Sequence, residues 1–182
     1  MTLGSRADRR VVLLDRDGVL NVDRSESVTS IAELEVAPGA LEGATLLRDD
    51  GFALVVVSNQ ACVGRGQLSL ADLSTINEEL NRRLDNSIAA FLICAHAPDE
   101  GCACRKPAAG LLDEAQRAWG FAPASTWLVG DDDRDVEAAV RGGCRPALVR
   151  TGKGVETARH WPEVPVFDDL GDFARWRHTD PG

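Results

Sequence analysis

The sequence predicts a parallel α/β sheet covered by helices on both faces, and three observations predict it. Short apolar runs ("VVLL", "ALVVV", "IAAFLIC", "WLV", "PALV") recur along the chain with stretches of helical periodicity between them. The second run is apolar throughout, as a strand buried on both sides requires. Side chains capable of chemistry follow these runs: Asp15 and Asp17 the first, Ser58-Asn59-Gln60 the second, a cysteine-rich loop the third. Asp131, Asp132, Asp133 and Asp135 follow the fourth run, and Thr151 and Lys153 the fifth. Open parallel sheets bind ligands at this edge, outside the carboxyl ends of their strands.

Each element has its own justification. "RVVLLD" (10–15) is the first strand, followed by the loop "RDGVLNVDRSESVTSIAELEVAP". A helix starts near Pro38-Gly39 and closes at Gly51, and "FALVVVS" (52–58) is the second strand. "SLADLSTINEELNRRLD" (69–85) is a helix with Ser69 as N-cap and Leu70, Leu73, Ile76, Leu80 and Leu84 as its apolar stripe. "IAAFLIC" (88–94) is the third strand and "CAHAPDEGCACRKP" (94–107) an irregular loop. "AAGLLDEAQRAWG" is a helix ended by Gly120, "STWLVG" the fourth strand, "DRDVEAAVRGG" a helix and "RPALVR" the fifth strand. "VPVF" adds a short sixth strand and "LGDFARW" a last helix, with "RWRHTDPG" expected as a frayed end. The expectation is one Rossmann-like domain over residues 1–182, without a large cap insertion and with a metal loop at 94–104.

A hydrophobic content of 44% with 27% charged residues fits a soluble globular chain. The net charge of −9 argues against a nucleic-acid partner, and any phosphate ligand must be met by a local concentration of cations. No stretch approaches the ~20 apolar residues of a membrane span, and "MTLGSRADRR" lacks an apolar signal core, so a cytoplasmic protein without a membrane partner is expected. Nothing requires a dimer, so a monomer is the default. Of five cysteines, three crowd at 94, 102 and 104, which points to metal rather than disulfides. Cys62 and Cys144 read as packing residues.

Asp15-Arg16-Asp17-Gly18 closes the first strand with two carboxylates one residue apart, a costly arrangement unless a cation sits between them. The acids of "GDDDRD" join them if the first and fourth strands are neighbours. Hard oxygen ligands with room for water favour Mg²⁺. Taken alone, the acidic run is equally a solvated cluster at a helix N-terminus, Ser58 a turn residue and Lys106 a surface lysine. Cys94, His96, Cys102 and Cys104 form a C-x-H-x5-C-x-C pattern, and three thiolates with one imidazole suit tetrahedral Zn²⁺. The other reading is buried or redox-active cysteines beside an incidental histidine. Such a knot would hold the following Arg105-Lys106-Pro107 rigidly, with Pro107 favouring an extended Lys106.

The segment Asp15-Arg16-Asp17-Gly18-Val19-Leu20-Asn21 resembles the first motif of the haloacid dehalogenase superfamily of phosphotransferases. Ser58, Lys106 and Gly130-Asp131 through Asp135 are similar to its second, third and fourth motifs. The resemblance implies a haloacid dehalogenase-like fold with Asp15 as the phosphorylated nucleophile and Asp17 as general acid, then base. It implies Ser58 and Lys106 on the phosphoryl oxygens, and Mg²⁺ held by Asp15, the main-chain carbonyl of Asp17 and Asp131. "CAHAPDEGCACRKP", "VVVSNQACVGRG" and "LVRTGKG" further resemble the branch that contains D-glycero-D-manno-heptose 1,7-bisphosphate 7-phosphatases and histidinol-phosphate phosphatases, the heptose type more closely. By that likeness Arg16, Asp23, Arg24, Ser25, Glu26, Asn59, Gln60, Ala61, Arg105 and Asp132 join the catalytic residues around a small phosphorylated substrate, a sugar bisphosphate, with Arg105 reading its distal end. The chain departs from the branch at Ala61-Cys62-Val63, at Ala95, Ala97 and Ala103, and at Asp132, where a lysine is common. A histidinol-phosphate phosphatase is the neighbouring alternative. A phospho-accepting receiver domain is an alternative of another class, disfavoured by Asp17 and the cysteine loop. G-x-G-x-x-G, G-x-x-x-x-G-K-[ST] and G-x-S-x-G motifs are all absent.

Overall fold

The computed structural model describes residues 9–179. Its six strands, β1 (Val11–Leu14), β2 (Ala53–Asn59), β3 (Ile88–Cys94), β4 (Trp127–Gly130), β5 (Arg145–Val149) and β6 (Val166–Phe167), form one sheet in the order β3-β2-β1-β4-β5-β6. All five pairings are parallel. Strand order reverses at β1, so the crevice of the fold opens where β1 ends between β2 and β4. The register carries the site residues to that edge together. Leu14 stands opposite Val56 and Val129, so Asp15, Ser58 and Asp131 emerge within two residues of one level.

Seven α-helices are formed among the described residues: α1 (Ala40–Asp49), α2 (Ala61–Gly64), α3 (Leu70–Arg83), α4 (Gly110–Trp119), α5 (Asp133–Arg141), α6 (Gly154–His160) and α7 (Leu170–Thr179). Ser69 caps α3 by accepting the Asp72 N–H at 3.1 Å. Its stripe is buried at Leu73, Ile76 and Leu80, but Leu70, in the first turn, stands 61% exposed. Gly120 ends α4 in the left-handed conformation, its N–H bonded to the Gln116 carbonyl at 2.8 Å. The periodicity of the sequence misses α2 and α6. The first is a single turn, and the second buries only Gly154 and Thr157, so neither shows an apolar stripe.

Strand alternation divides the core between the two faces of the sheet. Val12 and Leu14 point into one layer with Leu47 of α1, Leu80 of α3 and Phe173 of α7. Val11 and Leu13 point into the other with Leu112 and Ala115 of α4 and Ala138 of α5. At Gly43 α1 approaches α7 so closely that a Cβ would overlap the Leu170 main chain.

The expectation of a frayed "RWRHTDPG" is corrected for residues 175–179, which continue α7 to Thr179; residues 180–182 lie outside the described part. The reason is packing. Trp176, three positions after Phe173, falls on the same helix face. Its ring meets Trp127 edge-on with centroids 5.4 Å apart, and Phe173 meets Phe167 likewise at 5.3 Å. Among the described residues, no helix is long and apolar enough to cross a membrane.

Phe173 is fully buried, so Phe173→Ala is expected to lower the unfolding free energy by about 3–5 kcal/mol in urea titrations. Replacing the exposed Leu70 by Ser should change it by no more than about 0.5 kcal/mol. Equal losses at the two positions would contradict the assignment of α7 to the core.

Candidate active site

Asp15 leaves β1 with its N–H donated to the Val129 carbonyl at 2.9 Å, which fixes it against β4. The Lys106 ammonium reaches Asp15 Oδ1 at 2.8 Å and Asp135 Oδ1 at 2.6 Å, and all three groups are largely or wholly buried. Asp15, Asp131 and Asp135 each offer an oxygen within 4.8 Å of the others. Burial, then the charge of Asp135, push Asp15 up to about 7. Burial, then the charge of Asp15, push Asp131 up to about 8. Burial works against the charged form of Lys106 as well, but Asp135 and Asp15 outweigh it and hold the ammonium above its ordinary range. Two carboxylates thus share one cation, with Asp131 close by. This donor set fits a hard divalent ion, whose charge would offset the repulsion between these carboxylates.

Main chain holds the acids in place. Gly18 (φ +86°) and Gly152 (φ +59°) flank Asp131, and a Cβ on either would overlap its Oδ2. The Lys153 N–H donates to the same oxygen at 2.8 Å, and the Thr151 hydroxyl donates to the Gly18 carbonyl. Asp135 lies at the third position of α5, closing a capping box with Asp132; its Oδ2 accepts the N–H groups of Asp131 and Asp132 at 3.1 Å each. The resemblance gave Asp135 no role, but the structure makes it the anchor of Lys106. The Asp132-x-x-Asp135 spacing was the available signal.

Asp17 faces a different set of partners. Its Oδ1 accepts from Arg16 and from Asn21, each at 2.9 Å, and its Oδ2 accepts from Gln60 at 2.7 Å. Burial alone would raise this carboxyl, but the Arg16 guanidinium and the three hydrogen bonds together hold it below its ordinary value. Arg16 itself is fully buried and reaches Asn77 of α3 at 3.1 Å, so its guanidinium turns away from the pocket. Ser58 is buried and accepts from Gln60 at 2.9 Å. The side-chain amide of Asn59 pairs with both the N–H and the carbonyl of Lys106 at 2.9 Å, so it fastens the lysine's main chain. Ala61 opens α2 beneath this layer.

The loop from Asp23 through Glu26 forms the outer wall of the pocket, and Arg105 faces it with a buried Nη1 that has no protein partner. Asp132 also lines the pocket, but not as a free anion. Arg134 grips it with Nε at 2.7 Å and Nη2 at 2.9 Å, and the Lys153 ammonium adds a contact at 3.2 Å. Burial would raise Asp132, yet these hydrogen bonds hold it well below the usual carboxylate range. The sequence places Lys153 at this edge without a role and gives no hint of Arg134.

The cysteine loop begins where β3 ends. Cys94 Sγ lies 3.5 Å from Cys102 Sγ and 3.7 Å from His96 Nδ1, and Cys104 Sγ lies 3.2 Å from the same nitrogen. A tetrahedral zinc site with Zn–S of about 2.3 Å has edges of roughly 3.8 Å, so the four groups sit close to coordinating positions. All five cysteines are free thiols. Burial and its neighbouring thiols push Cys104 up to about 12. The loop packs tightly on both sides: a Cβ on Gly64 would overlap Ala97 N, and one on Gly110 would overlap Ala103 O. The Cys94 carbonyl accepts the Gln60 N–H at 2.8 Å, joining the loop to the layer that holds Asp17. The Lys106–Pro107 bond is cis and the chain turns there, with the Ala108 N–H bonded back to Arg105 at 2.8 Å.

Comparison with known proteins agrees with this architecture. A family model described as HAD-hydrolase-like matches residues 103–173, and one described as polynucleotide kinase 3 phosphatase matches residues 12–134. The chain is 36% identical to a D-glycero-β-D-manno-heptose-1,7-bisphosphate 7-phosphatase of Pseudomonas aeruginosa, over 91% of this chain and 96% of the relative. It is 37% identical to the Bordetella bronchiseptica protein of the same description, over 91% and 96%. The crystal structure of D,D-heptose 1,7-bisphosphate phosphatase from B. bronchiseptica, complexed with magnesium and phosphate, superposes with a TM-score of 0.90 at 35% identity, covering 94% of this chain and 99% of that one. With four carboxylates and a buried lysine gathered at the switch point of the sheet, and relatives of this description along almost its whole length, the chain belongs to the haloacid dehalogenase-like phosphatase family of the D-glycero-β-D-manno-heptose-1,7-bisphosphate 7-phosphatases.

Proposed function

We propose that this phosphatase removes the 7-phosphate of D-glycero-β-D-manno-heptose 1,7-bisphosphate, acting through a phosphorylated Asp15 with Mg²⁺ as cofactor. The observation that carries the reading is the Lys106 bridge, which turns Asp15 into a buried carboxylate aimed at the same pocket as Asp131. Asp15 Oδ attacks phosphorus while the bond to the leaving oxygen breaks, and Lys106 and the Ser58 hydroxyl receive the phosphoryl oxygens. Asp17 protonates the leaving oxygen, then takes a proton from the water that attacks the aspartyl phosphate. Asp17 rests ionised beside Arg16, so its proton affinity must rise when the phosphate dianion arrives next to it. Asp15, Asp131 and the Asp17 carbonyl would hold Mg²⁺, which would supply positive charge between an anionic nucleophile and an anionic phosphate.

We assign Zn²⁺ to Cys94, His96, Cys102 and Cys104, in a structural role that stiffens the approach to Arg105 and Lys106. We read the chain as one catalytic unit, since all strands of the described residues join a single sheet. A small substrate suits the charge pattern better than a nucleic acid. The chain carries a net −9, while Arg24, Arg105, Lys106, Arg134 and Lys153 line one pocket.

Phosphate release by Asp15→Asn should fall by a factor of roughly a thousand or more against wild type under Mg²⁺; undiminished turnover would refute the covalent mechanism. In a substrate panel, wild type should favour the heptose bisphosphate over histidinol phosphate by at least about tenfold in kcat/KM, and the reverse order would overturn the substrate assignment. Proton linkage gives a further expectation. Asp15 and Asp131 are raised by folding, so the stability they confer is complete below about pH 4 and is lost as pH climbs through about 7 and 8. Lys106, raised in the same cluster, changes nothing in that window. In magnesium-free buffer, Tm should therefore fall between about pH 6 and 8.5, and added Mg²⁺ should raise it more at the upper end. A magnesium increment independent of pH would exclude these carboxylates as the site.

A further inference from the structure

We propose that Arg134 and Lys153, braced by Asp132, are specificity-determining cations that bind the substrate's second, non-transferred phosphoryl group. The inference rests on the phosphatase reading above and assigns the pocket's selectivity to residues outside the catalytic set. Both side chains line the pocket that contains Asp15, and both stay accessible, at 42% and 54% exposure.

The geometry prepares them for an oxyanion. Asp132 occupies one edge of the Arg134 guanidinium through Nε and Nη2. A guanidinium carries five N–H donors, and Nη1 has no protein acceptor among the described residues, so its outward edge is free to donate. Lys153 is anchored through its main chain on Asp131, with its ammonium 3.2 Å from Asp132 and 3.9 Å from Asp23 on the facing wall. Two cations with little freedom left lose less entropy on binding than two mobile ones. Lys106 cannot do this work, because Asp15 and Asp135 occupy it.

A dianion is the appropriate partner. Asp132 and Asp23 balance Arg134 and Lys153, so the resting wall is close to neutral and holds little attraction for a neutral substituent. A phosphoryl group can take the free guanidinium edge and draw the ammonium from Asp23 at once, forming charge-assisted hydrogen bonds at both. In a chain of net −9 such cations must be local to the site.

The test compares kcat/KM for the heptose bisphosphate, for fructose 1,6-bisphosphate and for p-nitrophenyl phosphate, which carries no second phosphate. In Arg134→Met and in Lys153→Met, the preference for bisphosphates over p-nitrophenyl phosphate should fall by about 10- to 100-fold, mainly through KM. Arg134→Lys should recover part of it. The double variant Asp132→Asn/Arg134→Met separates recognition from charge balance. Recognition predicts that the loss persists, whereas an Arg134 that merely neutralises Asp132 predicts a preference restored to wild type. Restoration, or an unchanged preference in properly folded single variants, overturns the proposal and leaves the phosphatase reading intact. If wild type shows no preference for any bisphosphate, the substrate reading fails and this proposal fails with it.

Discussion

One ammonium group, shared by two buried carboxylates with a third close by, is the constraint on which the rest of this site depends. Lys106 binds Asp15 and Asp135, and Asp131 adds its charge within the same few ångströms. Left to itself such a cluster is unfavourable, since desolvation of several ions exceeds what a single pairing returns. It persists because each member is held by something outside it. Asn59 fastens the lysine's main chain, the N–H groups of Asp131 and Asp132 just before α5 donate to one oxygen of Asp135, and two glycines and a backbone N–H enclose Asp131.

The two metal centres of the proposed enzyme divide the labour along this line. At the acids, burial and mutual repulsion raise Asp15 and Asp131, and the charge of a divalent ion would offset both. At the cysteine loop the proposed zinc ligands would serve shape instead. The loop leaves β3 at Cys94, whose carbonyl binds the Gln60 N–H, and re-enters the site at Lys106. Gln60 in turn bridges Ser58 and Asp17. A knot of sulfur and imidazole is therefore connected through one glutamine to the group proposed to move protons.

Much of this was legible in the sequence, for reasons that differ by residue. The strands were readable because a sheet buried on both faces needs unbroken apolar runs. The cluster of Cys94, His96, Cys102 and Cys104 was readable because its members lie close together in the chain. Asp15, Ser58 and Asp131 were readable as strand ends, and the parallel register then makes their convergence automatic. What escaped depends on folding back over long separations or on side-chain direction. Arg134 lies one residue from acids that were noticed, but its grip on Asp132 is a matter of side-chain direction, and the approach of Lys153 appears only once β5 has returned the chain to this edge. Arg16 sits inside the leading motif, yet its guanidinium goes to α3. The last helix was cut short because one tryptophan among charges gives little periodicity, whereas its partners Trp127 and Phe167 lie far upstream or just before it.

The pair of glycines beside Asp131 has a consequence for how such a protein diversifies. Where the floor of a pocket is backbone pressed against a carboxylate, substitution there changes the chemistry before it changes the fit. New chemical appetites must then be acquired at the rim, on the exposed segment around residues 24–27 and on the α5 and α6 openings, whose side chains can be exchanged without disturbing the acids beneath. The molecule thereby separates an inheritance it cannot alter from a margin open to novelty.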